Sequence, residues 1–353
     1  MTGVFITIDT ELSLGRHLQG LTPRVNLLES VFGVCGDGTL GISHQICRLD
    51  AYGLKAVFFV DPMPAQVFGL DLLKRILAPI LEAGHEIQLH IHTEWLPYLP
   101  FDPVGGRRAA NIGSFSYEDQ LVLLNMAKEL LVAAGAPEPL AFRAGNYGAD
   151  DNTLRALARL GIRYDTSFNP GYLGDRPRLS LPLSVVEPVL HHGVVEFPIS
   201  CIADRPGGLR PAQLCALSAW EMRAALRHAA ASGQRYFTLV SHSFELLSRD
   251  RQRANRTVVE RFERLCAFVA NPASGLRALT YSQVDPATLG QARPAARLSP
   301  NLLRTAHRMG AQLLASIRYE RATRRPAPPW PVAPPPATPA RARARQRAEA
   351  RRI

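Results

Sequence analysis

Short apolar runs and longer amphipathic segments alternate along residues 1–285. The runs have the length and composition of buried strands; they cover residues 4–8, 55–60, 87–92, 140–144, 162–166, 194–198, 236–241 and 276–281. Segments with helical spacing lie between most of them, at residues 42–52, 70–83, 116–134, 151–160, 219–231 and 257–269. Gly53 follows the first of these helices, as expected at a helix end. Seven or eight strands separated by helices predict a parallel α/β fold, either a barrel or an open doubly wound sheet. No GxGxxG follows the first strand, which weakens a dinucleotide-binding hypothesis.

The pattern changes after about residue 290. Residues 301–319 predict a basic amphipathic helix with an apolar side formed by Leu302, Leu303, Ala306, Met309, Leu313, Leu314 and Ile317. Residues 326–339 contain eight prolines in 14 positions, which favours an extended segment. We therefore divide the chain into a globular domain (1–290), a basic helical extension (291–325) and a Pro/Arg-rich, disordered tail (326–353).

The positive charge lies in the C-terminal part. The chain has a formal net charge of +11, and residues 293–353 contribute +12 through fourteen Arg and two acids. The globular part is thus close to neutral, and no specific nucleic acid is expected as a partner. The tail is either a solvated segment or a binding element for an anionic membrane surface or an acidic polymer.

The chain shows no sign of export or membrane insertion. No stretch of 18 apolar residues occurs, and the N-terminus lacks a basic region before its apolar run. The five cysteines form no CxxC pair, so reduced, mostly buried thiols are expected. The sequence therefore predicts a cytoplasmic protein, with placement at the inner face of the membrane as an option.

Ionisable residues cluster at the carboxyl ends of four predicted strands. They are Asp9 and Glu11; His90, His92 and Glu94; Arg143; and His242. Each alone has an ordinary structural explanation, such as a turn residue or an ion pair. Parallel strands, however, bring their carboxyl ends to one edge, where sites are built. We expect these residues to meet there.

Two imidazoles and a carboxylate in this group suit a metal of the zinc type. Strand alternation places Asp9 and Glu11 on the same face of their strand, and likewise His90 and His92 on the same face of theirs. Three protein ligands leave a position for water, as in catalytic rather than structural zinc sites.

Five segments in this order resemble the polysaccharide deacetylase (NodB-homology, carbohydrate esterase family 4) superfamily. They read TIDTE at residues 7–11, YGLKAVFFV at 52–60, GHEIQLHIH at 84–92, FRAGNYG at 142–148 and LVSHS at 239–243. The resemblance covers about residues 3–245 and is greatest to the subgroup with D-x-E and H-x-H motifs. It implies a distorted (β/α) barrel over the catalytic domain, with seven or eight parallel strands. It also implies a divalent metal, usually zinc, and hydrolysis of an N-acetyl group on an amino sugar of a glycan.

The same resemblance implies a role for each site residue. Asp9 matches the general base, His242 the general acid, and Arg143 the arginine that orients the base. Glu11, His90 and His92 match the metal ligands. Glu245 is a neighbouring acid that would help to keep His242 charged.

Some positions depart from the family pattern. The common H-x-x-x-H spacing would select Glu94 instead of His92 as a ligand. The arginine motif lacks its usual proline and has an extra residue before Tyr147, so the oxyanion donor, a backbone N–H near Tyr147, is less defined. Asn146, Tyr147 and Trp95 are candidate substrate contacts, and His85 is expected to be structural. Two rival functions remain: hydrolysis of another small C–N compound, and carbohydrate binding without catalysis.

Overall fold

The computed structural model describes residues 1–172, 178–285, 289 and 295–320. The predicted disordered tail, 326–353, lies outside the described residues, as do parts of the 291–325 extension. Within the described ranges, no helix combines the length and apolar character needed to cross a bilayer.

The elements follow the predicted alternation. The strands are β1 (Thr2–Thr10), β2 (Val34–Cys35), β3 (Gly38–Thr39), β4 (Val57–Val60), β5 (Glu86–Ile91), β6 (Ala141–Ala144), β7 (Tyr164–Asp165), β8 (Val189–His191), β9 (Val194–Glu196), β10 (Cys201–Arg205), β11 (Gly208–Pro211), β12 (Tyr236–His242) and β13 (Leu276–Ala278). The α-helices are α1 (Leu14–Leu18), α2 (Pro23–Ser30), α3 (Ile42–Ala51), α4 (Ala65–Phe68), α5 (Leu70–Glu82), α6 (Tyr117–Ala133), α7 (Asp151–Arg159), α8 (Ala219–Ala231), α9 (Arg256–Ala270) and α10 (Leu302–Ala315).

The main sheet has the order β12-β1-β4-β5-β6-β7-β9-β8, and β13 pairs with β1. In the described part of the chain, all its pairings are parallel except that of β8 with β9. The sheet curls with helices outside it, which confirms the predicted distorted (β/α) barrel with seven or eight parallel strands. Irregular backbone continues the wall beside β12, where Ser200 N–H donates to Thr238 O at 3.1 Å and Leu214 N–H to Val240 O at 3.0 Å.

Strand alternation divides the core into two layers. Val4, Ile6 and Ile8 of β1 point outward and pack in the larger cluster beneath the helices. Phe5 points inward, into a smaller aromatic cluster with Phe59, Tyr164, Phe197 and Tyr281. Thr7 and Asp9 share the parity of Phe5, so Asp9 ends β1 on the inner side of the curl. The inner aromatic cluster is thus a floor beneath the carboxyl ends of the strands.

Several short elements were not predicted from the sequence. The α1–α2 pair follows the first strand. Strand β8 forms a hairpin with β9, and β10 forms one with β11; β8, β10 and β11 have weak apolar patterns. In α2, Pro23 occupies the first turn and the Thr22 side chain accepts a hydrogen bond from Val25 N–H. The helix is therefore defined by its cap and not by an apolar stripe, so hydrophobic periodicity could not reveal it.

The C-terminal helix α10 confirms the predicted helix in residues 301–319, which ends in a π-helical turn at Ser316–Glu320. Its buried residue is Arg308, whose guanidinium lies between Glu221 Oε1 at 3.1 Å and Asp204 Oδ2 at 3.4 Å. The apolar side chains of this helix remain mostly exposed; Leu302 is 87% and Leu314 69% exposed. The helix is thus docked by an ion pair, with its apolar side turned to solvent.

Candidate active site

Sheet register aligns the predicted site residues across neighbouring strands. Asp9 on β1 is opposite His242 on β12, and His90 on β5 is opposite Arg143 on β6. Because these strands are parallel, the four side chains lie at one edge of the barrel. The predicted convergence at the carboxyl ends is therefore what the register produces.

Asp9 is buried between a cation and an imidazole. Arg143 Nη1 donates to Asp9 Oδ1 at 2.5 Å, and His242 Nε2 lies 3.9 Å from Asp9 Oδ2. The Arg143 guanidinium is fully buried, with its Cζ 4.4 Å from the centroid of the Phe59 ring. The aromatic floor therefore fixes the arginine, and the arginine fixes the carboxylate.

Glu11, His90 and His92 form a second cluster beside Asp9. Glu11 Oε2 lies 2.5 Å from His92 Nε2 and 3.4 Å from His90 Nε2. One ligand atom from each residue falls within 4.8 Å of the others. His90 Nδ1 donates to the Arg143 carbonyl oxygen at 2.7 Å, which leaves the Nε2 lone pair facing Glu11.

These atoms fit the divalent metal that the resemblance implies. Glu11 Oε2 is buried and accepts no hydrogen bond of good geometry, although two imidazoles face it. Burial raises the pKa of Glu11, but the neighbouring His92 and His90 outweigh it and lower that pKa well below its usual value. Burial lowers the pKa of His92, whereas Glu11 and Glu94 raise it well above its ordinary range. A cation would satisfy the same carboxylate in place of imidazole protons.

Glu94 lies behind His92 and not within the cluster. Its Oε2 is 3.4 Å from His92 Nδ1, the ring nitrogen opposite the one that faces Glu11. Residues Thr93–Tyr98 form a 3₁₀ turn directly after β5, which carries Glu94 away from the line of His90 and His92. This position suits a carboxylate that orients a ligand histidine, and it favours His92 over Glu94 as the third ligand.

His242 is poised to carry a proton at neutral pH. Its Nδ1 lies 3.8 Å from Glu245 Oε1, and its side chain is 24% exposed, so a ligand could reach it. Burial favours the neutral imidazole, but the negative charges of Glu245, Asp9 and Glu11 outweigh it and raise the pKa of His242 to about 9. The backbone carbonyl of His242 accepts a hydrogen bond from Gln45 Nε2 at 3.1 Å, which ties β12 to α3.

The loop after β6 adopts an unusual backbone. Asn146 and Tyr147 both have positive φ, 57° and 55°, a conformation that costs about 1 kcal/mol or more for a residue with a side chain. A Cβ on Gly145 would lie 2.6 Å from the carbonyl oxygen of Ile91, so this position requires glycine. The expected oxyanion donor, a backbone N–H near Tyr147, therefore lies in a turn that contains two left-handed residues.

Trp95 does not line the open part of the site. It is 1% exposed and packs against His17, Phe68 and Tyr98, with ring centroids 5.5, 5.7 and 6.4 Å away. Its indole has almost no surface for a ligand, so we assign it a packing role beneath the 3₁₀ turn. His85 is buried, and its Nδ1 accepts a hydrogen bond from Ala56 N–H at 3.1 Å, in agreement with the expected structural role.

Asp61 belongs to this site but was missed in the sequence. It follows β4 directly, is 2% exposed, and has a buried Oδ2 without a hydrogen bond. Burial raises its pKa to about 6, although the charges of His92 and His90 act in the opposite direction. The rule that selected Asp9 and Arg143, an ionisable residue at the carboxyl end of a strand, would also have selected Asp61.

A buried pair of acids beneath Arg143 also lies at strand ends and was also not predicted from the sequence. Asp165 on β7 and Glu196 on β9 are opposite each other, and neither is exposed. Burial and the charge of Asp165 raise the pKa of Glu196 well above its usual value. A proton held within this pair would avoid two adjacent buried charges.

A structure described as a polysaccharide deacetylase from Mycobacterium smegmatis superposes with a TM-score of 0.51 at 16% identity, covering 85% of this chain and 96% of that one. This chain has the polysaccharide deacetylase fold. The resemblance predicted from the five sequence segments is thus confirmed at the level of the fold.

Other structures are similar at lower scores. A 4-alpha-glucanotransferase from Thermococcus litoralis has a TM-score of 0.47 at 12% identity, covering 80% of this chain and 40% of that one. A family 4 carbohydrate esterase from Streptomyces lividans, in complex with acetate, has a TM-score of 0.41 at 11% identity, covering 85% and 98%. No protein-family model and no curated protein matches the sequence.

Proposed function

We propose that this chain is a metal-dependent hydrolase that removes an N-acetyl or other acyl group from an amino sugar of a glycan or glycan precursor. The observation that carries the proposal is the placement of Asp9. Its carboxylate is buried against Arg143, faces His242, and lies on the strand that leads directly into the Glu11–His90–His92 cluster. A base, an acid and a set of metal ligands thus share one edge of the barrel.

Glu11, His90 and His92 would hold the divalent metal, for which zinc fits the ligand set best. When bound, such an ion lowers the pKa of a coordinated water to about 7 and polarises a carbonyl oxygen. Glu94 would orient His92, and the Arg143 carbonyl oxygen orients His90.

The chain's own groups would move the protons. Asp9 accepts a proton from the attacking water, and the Arg143 guanidinium keeps Asp9 ionised before the reaction. The water oxygen then bonds to the acyl carbon. A backbone N–H near Tyr147 stabilises the oxyanion, and His242 protonates the amine nitrogen as the C–N bond breaks. The products are a free amino sugar and a carboxylic acid.

Two alternatives give different results in one experiment. Zinc-loaded protein is incubated separately with N-acetylated chito-oligosaccharides and with a small non-sugar acetamide. Acetate and free amine are measured for the wild type, for Asp9→Asn, and for Asp71→Asn as an exposed control. Equal release of acetate and amine that is lost only in Asp9→Asn supports the proposal. Binding without release supports a carbohydrate-binding protein. Release from a small non-sugar amide alone supports a hydrolase of another C–N substrate.

We also propose that the protein, which the sequence predicts to be cytoplasmic, binds an anionic membrane surface. The support is α10, whose apolar side chains, including Leu303 and Leu313, are 72% and 63% exposed. The Arg-rich segment that follows in the sequence would add attraction to anionic lipid of about 1 kcal/mol per Arg close to the surface. The two features together fit the pattern of a helix that lies in a bilayer interface.

A further inference from the structure

A second cluster of metal-ligating side chains lies at the β8–β9 hairpin. Asp151 is the first residue of α7. His191 is the last residue of β8, and His192 begins the turn that follows. His191 Nε2 lies 3.1 Å from Asp151 Oδ1, and His192 Nε2 lies 3.2 Å from Asp151 Oδ2. One ligand atom from each residue falls within 4.8 Å of the others. The cluster shares no residue with the Glu11–His90–His92 group.

The Asp151 carboxylate is held in a fixed orientation by Ser180. The Ser180 N–H donates to Oδ1 at 2.9 Å, and its hydroxyl donates to Oδ2 at 2.5 Å. Ordered hydrogen bonds of this kind commonly orient a carboxylate ligand of a metal. Burial raises the pKa of Asp151, but these bonds and the two imidazoles outweigh it and hold that pKa below its usual range.

His192 has two features that hydrogen bonding within the cluster does not explain. Its Nε2 is buried and makes no hydrogen bond of good geometry, although a carboxylate oxygen is nearby. Its backbone φ is +48°, and Gly193 follows at +86°, so these residues form the kind of two-residue hairpin turn that normally begins with Asn, Asp or Gly. Histidine adopts this left-handed conformation less often than glycine or asparagine, and the turn places its imidazole against Asp151.

We propose that Asp151, His191 and His192 bind a divalent cation of the zinc type. Imidazole nitrogens select borderline metals such as zinc over magnesium or calcium, and one carboxylate with two imidazoles is a common zinc ligand set. The cation would accept the free electron pair of His192 Nε2 and would link the hairpin to the start of α7. The site would join the β8–β9 hairpin to α7, its three protein ligands would leave a fourth position for water, and it is separate from the proposed hydrolytic centre.

The test counts zinc ions on the full-length, tag-free protein. Wild type should bind two ions per chain by calorimetric titration of the metal-free protein. His192→Asn should bind one, because asparagine tolerates the positive φ but lacks the imidazole. His228→Gln is the matched control: the one hydrogen bond described for its ring is to the Ala296 carbonyl oxygen, and its loss should leave two ions bound. Added zinc should raise the melting temperature of His90→Ala, which lacks the other site, but not of His90→Ala/His192→Asn.

The outcomes separate this site from the proposed active site. Two ions bound by His192→Asn, with affinities within a few-fold of wild type, would overturn the inference. So would an equal loss of zinc in His228→Gln, since that would indicate adventitious binding to surface histidines. If wild type binds a single ion that is lost in His192→Asn and retained in His90→Ala, the hairpin site stands and the proposed hydrolytic centre fails. His191→Gln provides a second variant, with the same expected loss, should His192→Asn not fold.

Discussion

At the scale of single residues, the charge and orientation of the Asp9 carboxylate depend on Arg143 from β6 and His242 from β12. Replacing Asp9 with Asn keeps the shape and the contact with Arg143 but removes the proton acceptor. We expect Asp9→Asn to retain zinc and the fold, with a lower melting temperature because the buried Arg143 loses its counter-charge, while turnover falls by about 10²–10⁴-fold, the usual contribution of a positioned base. Steady-state kinetics and metal analysis of the same preparation check this. Wild-type turnover in Asp9→Asn would move the base elsewhere.

The charge on His242 is set by its neighbours, chiefly Glu245. A general acid must begin the reaction protonated, so activity should fall as the pH rises through the His242 pKa of about 9. Glu245→Gln removes the negative charge that raises the His242 pKa most. The alkaline limb of the kcat profile should therefore move to lower pH. The exposed Glu138→Gln should leave the limb in place. A profile unchanged by Glu245→Gln would exclude His242 as the titrating acid.

At the scale of elements, the end of β5 decides which side chain completes the metal shell. Strand alternation continues from His90 to His92, and the 3₁₀ turn then carries Glu94 to the other side of the His92 ring. We expect His92→Ala to weaken zinc binding far more than Glu94→Ala, for which a loss of about 10–100-fold is typical of an orienting partner. Competition with a chromophoric chelator measures both. The reverse order would mean that the metal uses the four-residue spacing.

Helix α10 is another element whose placement depends on one charged residue. Arg308 is 4% exposed and contacts Glu221 and Asp204, which are also buried at the side chain. Arg308→Ala leaves both carboxylates without this cation, and loss of one partner from a buried pair costs about 3 kcal/mol. Urea denaturation should show this loss. Arg304→Ala on the same helix removes a half-buried side chain that donates to the Ser299 carbonyl oxygen and has no ion pair described for it, and should cost less, about 1 kcal/mol or below. Equal effects would mean that the ion pair does not dock the helix.

At the scale of the whole molecule, the segment after α10 is expected to serve placement and not catalysis. Tyr319 is 5% exposed, and its carbonyl oxygen accepts a hydrogen bond from Arg249 N–H, so it belongs with the folded part. The sequence beyond it has little apolar surface to offset the entropy of ordering. Truncation after Tyr319 should leave the melting temperature and turnover on a small soluble substrate nearly unchanged. Loss of activity would show that the tail packs on the barrel.

The same truncation tests the membrane proposal. Full-length protein should co-sediment with anionic vesicles at low salt and be released as salt rises, because screening shortens the electrostatic range. The truncated form should not bind. Leu313→Ser/Leu314→Ser, which reduces the exposed apolar side of α10, should bind more weakly than wild type at equal charge. Equal binding by all three proteins would contradict a role for both features.

The sequence by itself determined the architecture and most of the candidate site. Apolar runs of strand length, broken by helical periodicity, require a parallel α/β fold, and ionisable residues at strand ends must then meet at one edge. This reasoning reached Asp9, His90, Arg143 and His242. It also contained the signal for Asp61, which was overlooked.

Tertiary structure decided the relations that depend on curvature, register and loop path. Only the pairing of β1 with β12 and the approach of β6 place Arg143 and His242 on the two oxygens of Asp9, because such contacts join residues 134 and more positions apart. Burial of Trp95 depends on the packing of helices α1 and α4 against the 3₁₀ turn that contains it, which local pattern does not encode. An amphipathic helix usually turns its apolar side toward the core. Helix α10 instead buries Arg308 in its ion pairs with Glu221 and Asp204 and turns its apolar side outward. The Asp151–His191–His192 cluster exists only where the hairpin meets α7, since nothing in the sequence pairs an acid with histidines forty positions away.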